Sequence, residues 1–156
     1  MVDGLAADID PLTPAVTVEC VVQAAMRYHV PSEAVLAILD AESGQVGLIR
    51  RNSDDSYDIG PMQINSRWLG ELKRYGITAA HLRDYGCLNV HVGSWILSRE
   101  QARAGNIWVA IGRYHSWRPS LASDYIQRVA TRVRWLRRDP NYSSRVIANA
   151  NREGGG

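Results

Sequence analysis

Apolar residues recur every three or four positions over most of the chain, which is the spacing of one face of an α-helix. In the first such segment, residues 13–29, this face consists of Val18, Val21, Val22 and Ala25. The segment is predicted to end before Pro31, because the residue that precedes a proline disfavours helical conformation. Ser32 is then predicted to cap a second helix, which Gly44 ends.

The apolar face of the second helix contains an acid. Glu42 lies seven, four and three residues after Val35, Ile38 and Leu39, so its carboxyl group shares their face. Burial of a charged carboxylate is unfavourable, so the pKa of this acid should rise, and a protonated carboxyl in a cleft can act as a general acid. The pattern alone leaves a structural ion pair as the alternative.

The rest of the chain alternates between loop and helix patterns. Residues 45–64 have no sustained period and are rich in Asn, Ser, Asp and Gly, which predicts a loop with a small β-hairpin. Gly76 is predicted to end the next helix, Thr78 and Asn89 to cap the following two, and a further helix to run up to Pro119. The last strong pattern places four apolar residues on one face: Ile126, Val129, Val133 and Leu136.

No internal repeat or linker divides the chain, so we predict one mainly α domain over residues 15–138. Residues 1–14 form an N-terminal extension in this interpretation. After Pro140 the sequence becomes polar and ends in three glycines, which predicts a mobile tail over residues 139–156.

Composition and charge narrow the class of protein. The chain has 156 residues, of which 46% are apolar and 22% charged, as in ordinary globular domains. No segment approaches the roughly 18 uninterrupted apolar residues of a membrane span. The first residues lack the basic start and apolar run of a secretory signal, so we expect no intact signal peptide here.

The net charge of +2 conceals an acidic start and an arginine-rich stretch after Arg113. Such a stretch suits an anionic partner, either nucleic acid or the carboxylates of a bacterial cell wall, or it forms a solvated helix face. The chain has no helix-turn-helix or zinc pattern, so we expect no nucleic-acid partner, metal or cofactor. None of the four histidines pairs with acids or cysteines at ligand spacing: His29, His81, His91 and His115.

A polar block follows the acid, NSDDSYDIGPMQINSRW at residues 52–68. The amides of Gln63 and Asn65 can place hydrogen-bonding groups along a groove, and Trp68 can offer a ring face to a sugar. The apolar residues of the block have the character of core residues: Ile59, Met62 and Ile64.

Three motifs occur in a recognisable order, AESG at 41–44, SYDIGPMQINSRWL at 56–69 and AIGRYHS at 110–116. In these motifs the chain resembles the lytic transglycosylases of the lysozyme superfamily, above all the small specialised ones that accompany secretion, conjugation and pilus machines. The resemblance spans roughly residues 18–136. It implies a lysozyme-like fold of the goose or SLT type and a monomer that acts on peptidoglycan glycan strands in the periplasm or cell envelope.

The resemblance also implies roles for individual residues. Glu42 would be the catalytic acid and base, and Ser43 a neighbour that helps to set the site. Gly60, Met62 and Gln63 would line the substrate groove beside the acid.

Tyr114 would reach Glu42 or the bound sugar from the opposite wall. Cys20 and Cys87 match cysteines of the family that form a disulfide, which implies an exported protein, whereas the cysteine count alone leaves two free thiols open. His115 stands where many relatives have Asn, which would make its contact with the substrate sensitive to pH.

Asp58 leaves the chemistry open. Animal-type lysozymes are similar in the same stretch and have their second carboxylate at this position, as retaining glycosidases require. If Asp58 faces the cleft, the chain could be a hydrolase that uses both Glu42 and Asp58. If it binds backbone N–H groups of its own loop, Glu42 acts alone.

The resemblance over the full chain favours Glu42 acting alone. The product would then be a 1,6-anhydroMurNAc end, formed by cleavage of the MurNAc-β-1,4-GlcNAc bond without water. A lysozyme-type hydrolase is the first alternative, and a non-catalytic peptidoglycan-binding module is the second.

Overall fold

The structure is a computed structural model that describes residues 13–152. It is mainly α with a small antiparallel sheet, which confirms the predicted fold class. The strands are β1 (Ile49–Arg51), β2 (Tyr57–Ile59) and β3 (Ile64–Asn65), and short 3₁₀ turns follow at Ser66–Trp68 and Lys73–Tyr75. The α-helices of the described part are α1 (Val18–Tyr28), α2 (Ser32–Glu42), α3 (Leu69–Leu72), α4 (Ala79–Asp84), α5 (Gly86–Ala104), α6 (Ile107–His115), α7 (Pro119–Arg138) and α8 (Tyr142–Ala150).

Two of the predicted helix boundaries are confirmed, one by its hydrogen bond and the other by its backbone conformation. Thr78 caps α4 by accepting a hydrogen bond from the His81 backbone N–H at 3.2 Å. Gly76 ends the preceding 3₁₀ turn with a φ of 75°, a conformation that costs glycine little.

Both predicted ends of α2 are wrong by one residue. Pro31 occupies the N-cap position, and Ser32 is already helical. Ser43, with a φ of 54°, is the left-handed residue that ends the helix. Gly44 is required for a different reason: a Cβ atom there would overlap the Gly60 carbonyl oxygen, so this glycine lets the end of α2 approach the sheet closely.

The long helix α5 lies at the centre and packs against α1 and α6. The Cys20–Cys87 disulfide joins its first turn to α1, as the resemblance implied. Asn89 does not cap this helix, because α5 begins three residues earlier and buries the Asn89 side chain completely. The helical pattern allowed both starts, and the packing of this amide decides between them.

The predicted hairpin is part of a three-stranded antiparallel sheet in the order β1-β2-β3. Its register pairs Arg50 with Asp58, and Asp58 with Asn65. Asp58 therefore sits on the central strand between a cation and an amide.

The predicted apolar face of α7 packs on the core, and Tyr125 adds to it a residue that the pattern did not include. Tyr125, Val129 and Val133 are buried, whereas Ile126 and Leu136 are half-buried. A tyrosine therefore lies at the centre of an apolar face, and its hydroxyl group needs a partner there.

Residues 142–150 form α8, where the polar composition predicted a mobile tail. Tyr142, Val146 and Ala150 of this helix are buried. The amide of Asn151 then binds both backbone groups of Val16, at 2.7 and 2.8 Å. These contacts span the chain from end to end, so no local pattern could indicate them. Residues 1–12 of the predicted N-terminal extension and the last four residues of the predicted tail lie outside the described residues.

Within residues 13–152, no helix combines the length and the apolar character that crossing a bilayer would require.

Candidate active site

A cleft of about 300 Å³ opens between the end of α2, the sheet and the end of α6. It brings together seven of the residues that the sequence singled out for the site: Glu42, Asp58, Gln63, Asn65, Trp68, Tyr114 and His115. The remaining lining residues come from the β1–β2 turn, the sheet, the 3₁₀ turn after it and α5: Asn52, Ser53, Asp54, Ser56, Ile64, Arg67 and Ile96.

The backbone at Glu42 is held in place by an arginine. Glu42 is the last residue of α2, where helix carbonyl groups lack partners within the helix. The Arg50 guanidinium of β1 donates to the carbonyl oxygens of Glu42 at 3.1 Å and Ser43 at 3.0 Å. A cation at a helix C-terminus is electrostatically favourable, so the sheet and the helix jointly fix the position of the acid.

The carboxyl group of Glu42 has a tyrosine partner. The Tyr125 hydroxyl donates to Glu42 Oε2 at 2.6 Å from the centre of α7. The resemblance implied that Tyr114 would reach Glu42 or the bound sugar; its hydroxyl donates to the Met62 carbonyl oxygen at 2.8 Å and not to Glu42, while its side chain lines the cleft. The polar group that Tyr125 places within the apolar pattern of α7 is the signal that could have identified it.

Burial raises the pKa of Glu42 to about 7, and the negative charge of Asp58 adds to this effect. The hydrogen bond from Tyr125 and the charges of Arg128 and Arg50 lower the pKa but do not compensate for burial. No arginine or lysine between residues 13 and 152 forms an ion pair with this carboxyl group. Glu42 can therefore both carry and release a proton near neutral pH.

Asp58 lines the same cleft. Its Oδ1 accepts a hydrogen bond from the Asn65 side chain at 3.0 Å, across the β2–β3 pair. Among the described hydrogen bonds of this carboxylate, none comes from a backbone N–H group of its loop. Of the two orientations considered for Asp58, the structure thus has the one that faces the cleft.

Gly60 and Met62 are buried and do not line the cleft, in contrast to the role that the resemblance implied. Gly60 has a φ of 69°, and a Cβ atom there would overlap the Asn89 side chain. The same Asn89 accepts a hydrogen bond from the Met62 backbone N–H at 2.8 Å and donates to the Ile59 carbonyl oxygen at 2.9 Å. These residues support the turn on its buried side, and no sequence pattern indicated that Asn89 binds it.

Gln63 follows this turn in a left-handed conformation, with a φ of 53°. Its side chain donates to the Gly60 carbonyl oxygen at 3.0 Å and accepts a hydrogen bond from Arg50 at 3.4 Å. Ser43 does not line the cleft, and its hydroxyl donates to the Asp40 carbonyl oxygen at 2.9 Å. Ser43 and Gln63 are thus both left-handed residues beside the acid, where such backbone strain often accompanies function.

His115 stacks on Tyr125 with a centroid distance of 4.6 Å and an interplanar angle of 3°. Partial burial and the charge of Arg128 lower the pKa of His115, and the charge of Asp58 opposes them. Burial, together with the charge of Glu42, raises the pKa of Tyr125 well above its ordinary value, so its hydroxyl remains a donor. The tyrosine that contacts the acid is therefore packed against a neutral ring at neutral pH.

A cluster of Cys20, Cys87 and His91 lies away from the cleft. Both sulfur atoms are joined in the disulfide, so neither is available as a thiolate ligand. This cluster is not a metal site.

Comparison with known proteins matches residues 19–131 to the family described as the transglycosylase SLT domain. The chain is 36% identical over 116 residues to invasion protein IagB of Salmonella typhimurium, covering 74% of this chain and 72% of that protein. It is 32% identical over 99 residues to protein IpgF of Shigella flexneri, covering 63% of this chain and 65% of that protein. The X polypeptide of Escherichia coli is also 32% identical over 99 residues, which cover 59% of its length.

Proposed function

The chain belongs to the transglycosylase SLT domain family, and from this premise we propose that it is a lytic transglycosylase that cleaves the MurNAc-β-1,4-GlcNAc bond of peptidoglycan. The observation that carries the proposal is the environment of Glu42. Its carboxyl group lies in the cleft, has a pKa of about 7, and is oriented by Tyr125 without an ion-pair partner among the described residues.

In the first step, protonated Glu42 donates its proton to the glycosidic oxygen. The bond from this oxygen to the anomeric carbon of MurNAc breaks, and the GlcNAc part leaves as an alcohol. The acetamido oxygen of MurNAc stabilises the positive charge at the anomeric carbon. Tyr125 donates its hydrogen bond to the resulting Glu42 carboxylate, which stabilises the charged form.

In the second step, the Glu42 carboxylate removes the proton of the MurNAc 6-hydroxyl group. The oxygen of this group attacks the anomeric carbon, displaces the acetamido oxygen and closes the 1,6-anhydro ring. Glu42 is protonated again, and no water is consumed. A pKa near the working pH suits a residue that acts as acid and then as base.

A lysozyme-type hydrolase is the second candidate, because Asp58 faces the cleft and could support the anomeric carbon while water attacks. Its hydrogen bond from Asn65 engages one carboxylate oxygen and favours a fixed, structural use of this side chain. The family membership supports the transglycosylase reaction over this one.

Product analysis distinguishes the candidates. Purified sacculi are digested with the protein, and the soluble fragments are analysed by mass spectrometry. We expect 1,6-anhydro ends, which are lighter than reducing ends by one water. Reducing ends would establish the hydrolase, and binding to sacculi without release of fragments would establish a non-catalytic binding module.

The substitution Asp58→Asn tests whether the second carboxylate takes part in the reaction. For a transglycosylase we expect a moderate loss of activity with unchanged products, since the neutral side chain still accepts the hydrogen bond from Asn65. Complete loss of activity in a folded protein would instead indicate that both carboxylates take part in the reaction.

The place of action that we propose is the periplasm or cell envelope, where the enzyme would open the wall locally for a secretion, conjugation or pilus machine. The disulfide supports an oxidising compartment. The similarity to a protein named for invasion supports an association with such a machine. If protein isolated from its host carried two free thiols under denaturing conditions, the assignment to this compartment would be wrong.

A further inference from the structure

Trp117 is an exposed aromatic residue that follows the cleft wall closely in the chain. It lies between α6 and α7, two residues after His115, which forms part of the cleft wall. Of its surface, 54% is exposed, although burial of an indole ring is strongly favourable. Single exposed apolar side chains are common on protein surfaces, but this one follows a residue of the cleft wall by two positions, so a ligand that extends beyond the cleft can cover it.

The link that carries Trp117 is held in place. The Ser116 backbone N–H donates to the Gly112 carbonyl oxygen at 3.0 Å and ends α6. The Ser116 hydroxyl then accepts a hydrogen bond from the Arg118 backbone N–H at 3.1 Å, and Pro119 begins α7. The backbone on both sides of the indole ring is therefore ordered before any ligand binds, which reduces the entropy cost of binding.

A cation stacks on this ring. The Arg113 guanidinium carbon lies 4.1 Å from the centroid of Trp117, within the range of a cation–π contact. Arg113 has no ion-pair partner among residues 13–152. The pair thus combines a flat apolar surface with a guanidinium group whose N–H donors match a carboxylate.

The size of the cleft indicates what such a pair would bind. Its volume of about 300 Å³ is at the lower end of ligand sites, so only a short part of a polymer fits inside. A glycan strand with its scissile bond at Glu42 must leave the cleft over its edges. At the edge formed by His115, the next part of the strand would meet Trp117.

We propose that Trp117 and Arg113 form an outer subsite for the glycan strand. A pyranose ring that lies beyond the cleft stacks its C–H face on the indole ring, and the guanidinium group binds a carboxylate of the lactyl group or stem peptide. This subsite rests on the proposed action on peptidoglycan, and it makes the enzyme favour long strands over short fragments.

The test measures binding without cleavage. In the Glu42→Gln background, binding to purified sacculi is measured by sedimentation with and without Trp117→Ala. We expect Trp117→Ala to weaken binding about tenfold, as loss of an aromatic contact does. Trp117→Tyr keeps a ring and should retain most of the affinity. A smaller loss is expected for a glycan fragment short enough to lie within the cleft, because it does not reach the subsite.

Trp108→Ala is the matched control, because Trp108 is also an exposed tryptophan, 38% accessible, but lies at the other end of α6. It should bind sacculi as the parent does. Arg113→Gln should weaken binding and also reduce its dependence on salt concentration, since a charge is lost. Thermal melting of each variant shows that the fold is retained.

The outcomes separate the two proposals. Unchanged affinity of Trp117→Ala for sacculi would overturn the subsite while leaving the reaction at Glu42 untouched. Equal losses for Trp117→Ala and Trp108→Ala would also overturn it, because the effect would then not be local. If the unmodified protein neither binds nor cleaves sacculi, the proposed function itself is wrong, and the subsite with it.

Discussion

Two carboxyl groups, Asp40 and Glu42, lie two residues apart on α2, and only the first has an ion-pair partner among the described residues. Asp40 accepts a hydrogen bond from the Tyr142 hydroxyl at 2.8 Å, and Glu42 accepts one from Tyr125 at 2.6 Å. Asp40 also forms an ion pair with Arg132, at 3.0 Å. Glu42 has no such partner in the described part of the chain, where the arginines act on it only at longer range.

This difference explains why one partly buried acid stabilises the fold as an ion pair, whereas the other can hold and release a proton. At Asp40 the arginine compensates for the loss of water, so the charged pair can hold α2, α7 and α8 together. At Glu42 burial prevails, and the protonated acid persists up to a pH of about 7. The structural ion pair that the sequence left open for Glu42 thus exists one half-turn earlier, at Asp40.

Of the substitutions at these two acids, Glu42→Gln should cause the largest loss of activity. We expect release of fragments from sacculi to fall by a factor of about 10²–10⁴, because glutamine cannot transfer a proton. Asp40→Asn is the matched neutralisation on the same helix and should retain activity wherever the protein is folded. Near-normal cleavage by Glu42→Gln would refute the assignment of the acid.

The pH dependence of the reaction should follow the pKa of Glu42. Above a pH of about 7 the acid loses its proton, so the rate should fall by about tenfold for each further pH unit. Initial rates on sacculi between pH 5 and 9 measure this limb, and Asp40→Asn should leave its midpoint unchanged. A rate that stays constant across this range would show that another group supplies the proton.

Opposite effects on stability are expected at the two positions. Asp40→Asn leaves Arg132 partly buried without its charged partner, which should lower the free energy of unfolding by about 1–3 kcal/mol. Folding raises the pKa of Glu42 above 4.5, so the stability linked to its proton is complete below pH 4.5 and lost as pH rises through about 7.

Glu42→Gln removes that dependence and should therefore be at least as stable as the parent at pH 8. Urea unfolding at pH 5 and pH 8 measures both variants. Destabilisation by both substitutions at pH 8 would contradict the difference drawn between the two acids.

The two tyrosines should give the smallest and most specific effects. Tyr125→Phe removes a hydrogen bond that lowers the pKa of Glu42, so the alkaline limb of the rate should move to higher pH. Tyr142→Phe should leave this limb in place and lower the free energy of unfolding by about 1 kcal/mol. Identical pH profiles for Tyr125→Phe and the parent would show that the hydrogen bond from Tyr125 does not change the pKa of Glu42.

Local patterns predicted much of this molecule because local forces determine it. Helical periodicity predicted the mainly α fold, and capping chemistry predicted the boundaries at Gly76 and Thr78. The motif around Glu42 predicted the acid of the cleft. The capping rules were wrong at Asn89, where the start of the helix depends on packing. An Asn that caps a helix and an Asn that is buried within one can occur in the same local sequence.

The arrangement of the cleft wall opposite Glu42 depends on contacts between residues that are far apart in the chain. Tyr114 and Tyr125 lie in neighbouring helices, and their order in the chain does not show which hydroxyl group reaches Glu42. The packing of α7 against α2 places Tyr125 there, 83 residues from the acid. The order of α8 likewise depends on Asp40 and Val16, which no local polarity pattern registers.

By itself the sequence determined most of the helices before residue 139, the acid at the end of α2 and the motif that contributes Asp58 and Gln63, because periodicity, capping and short motifs are local properties. Only the tertiary structure decided which tyrosine holds the acid, that Met62 and Gly60 support the cleft from below, and that Asp40 takes the arginine. These depend on how helices pack across the domain. The pKa of Glu42 follows from that packing, because burial and the distances to charges exist only once the chain has folded.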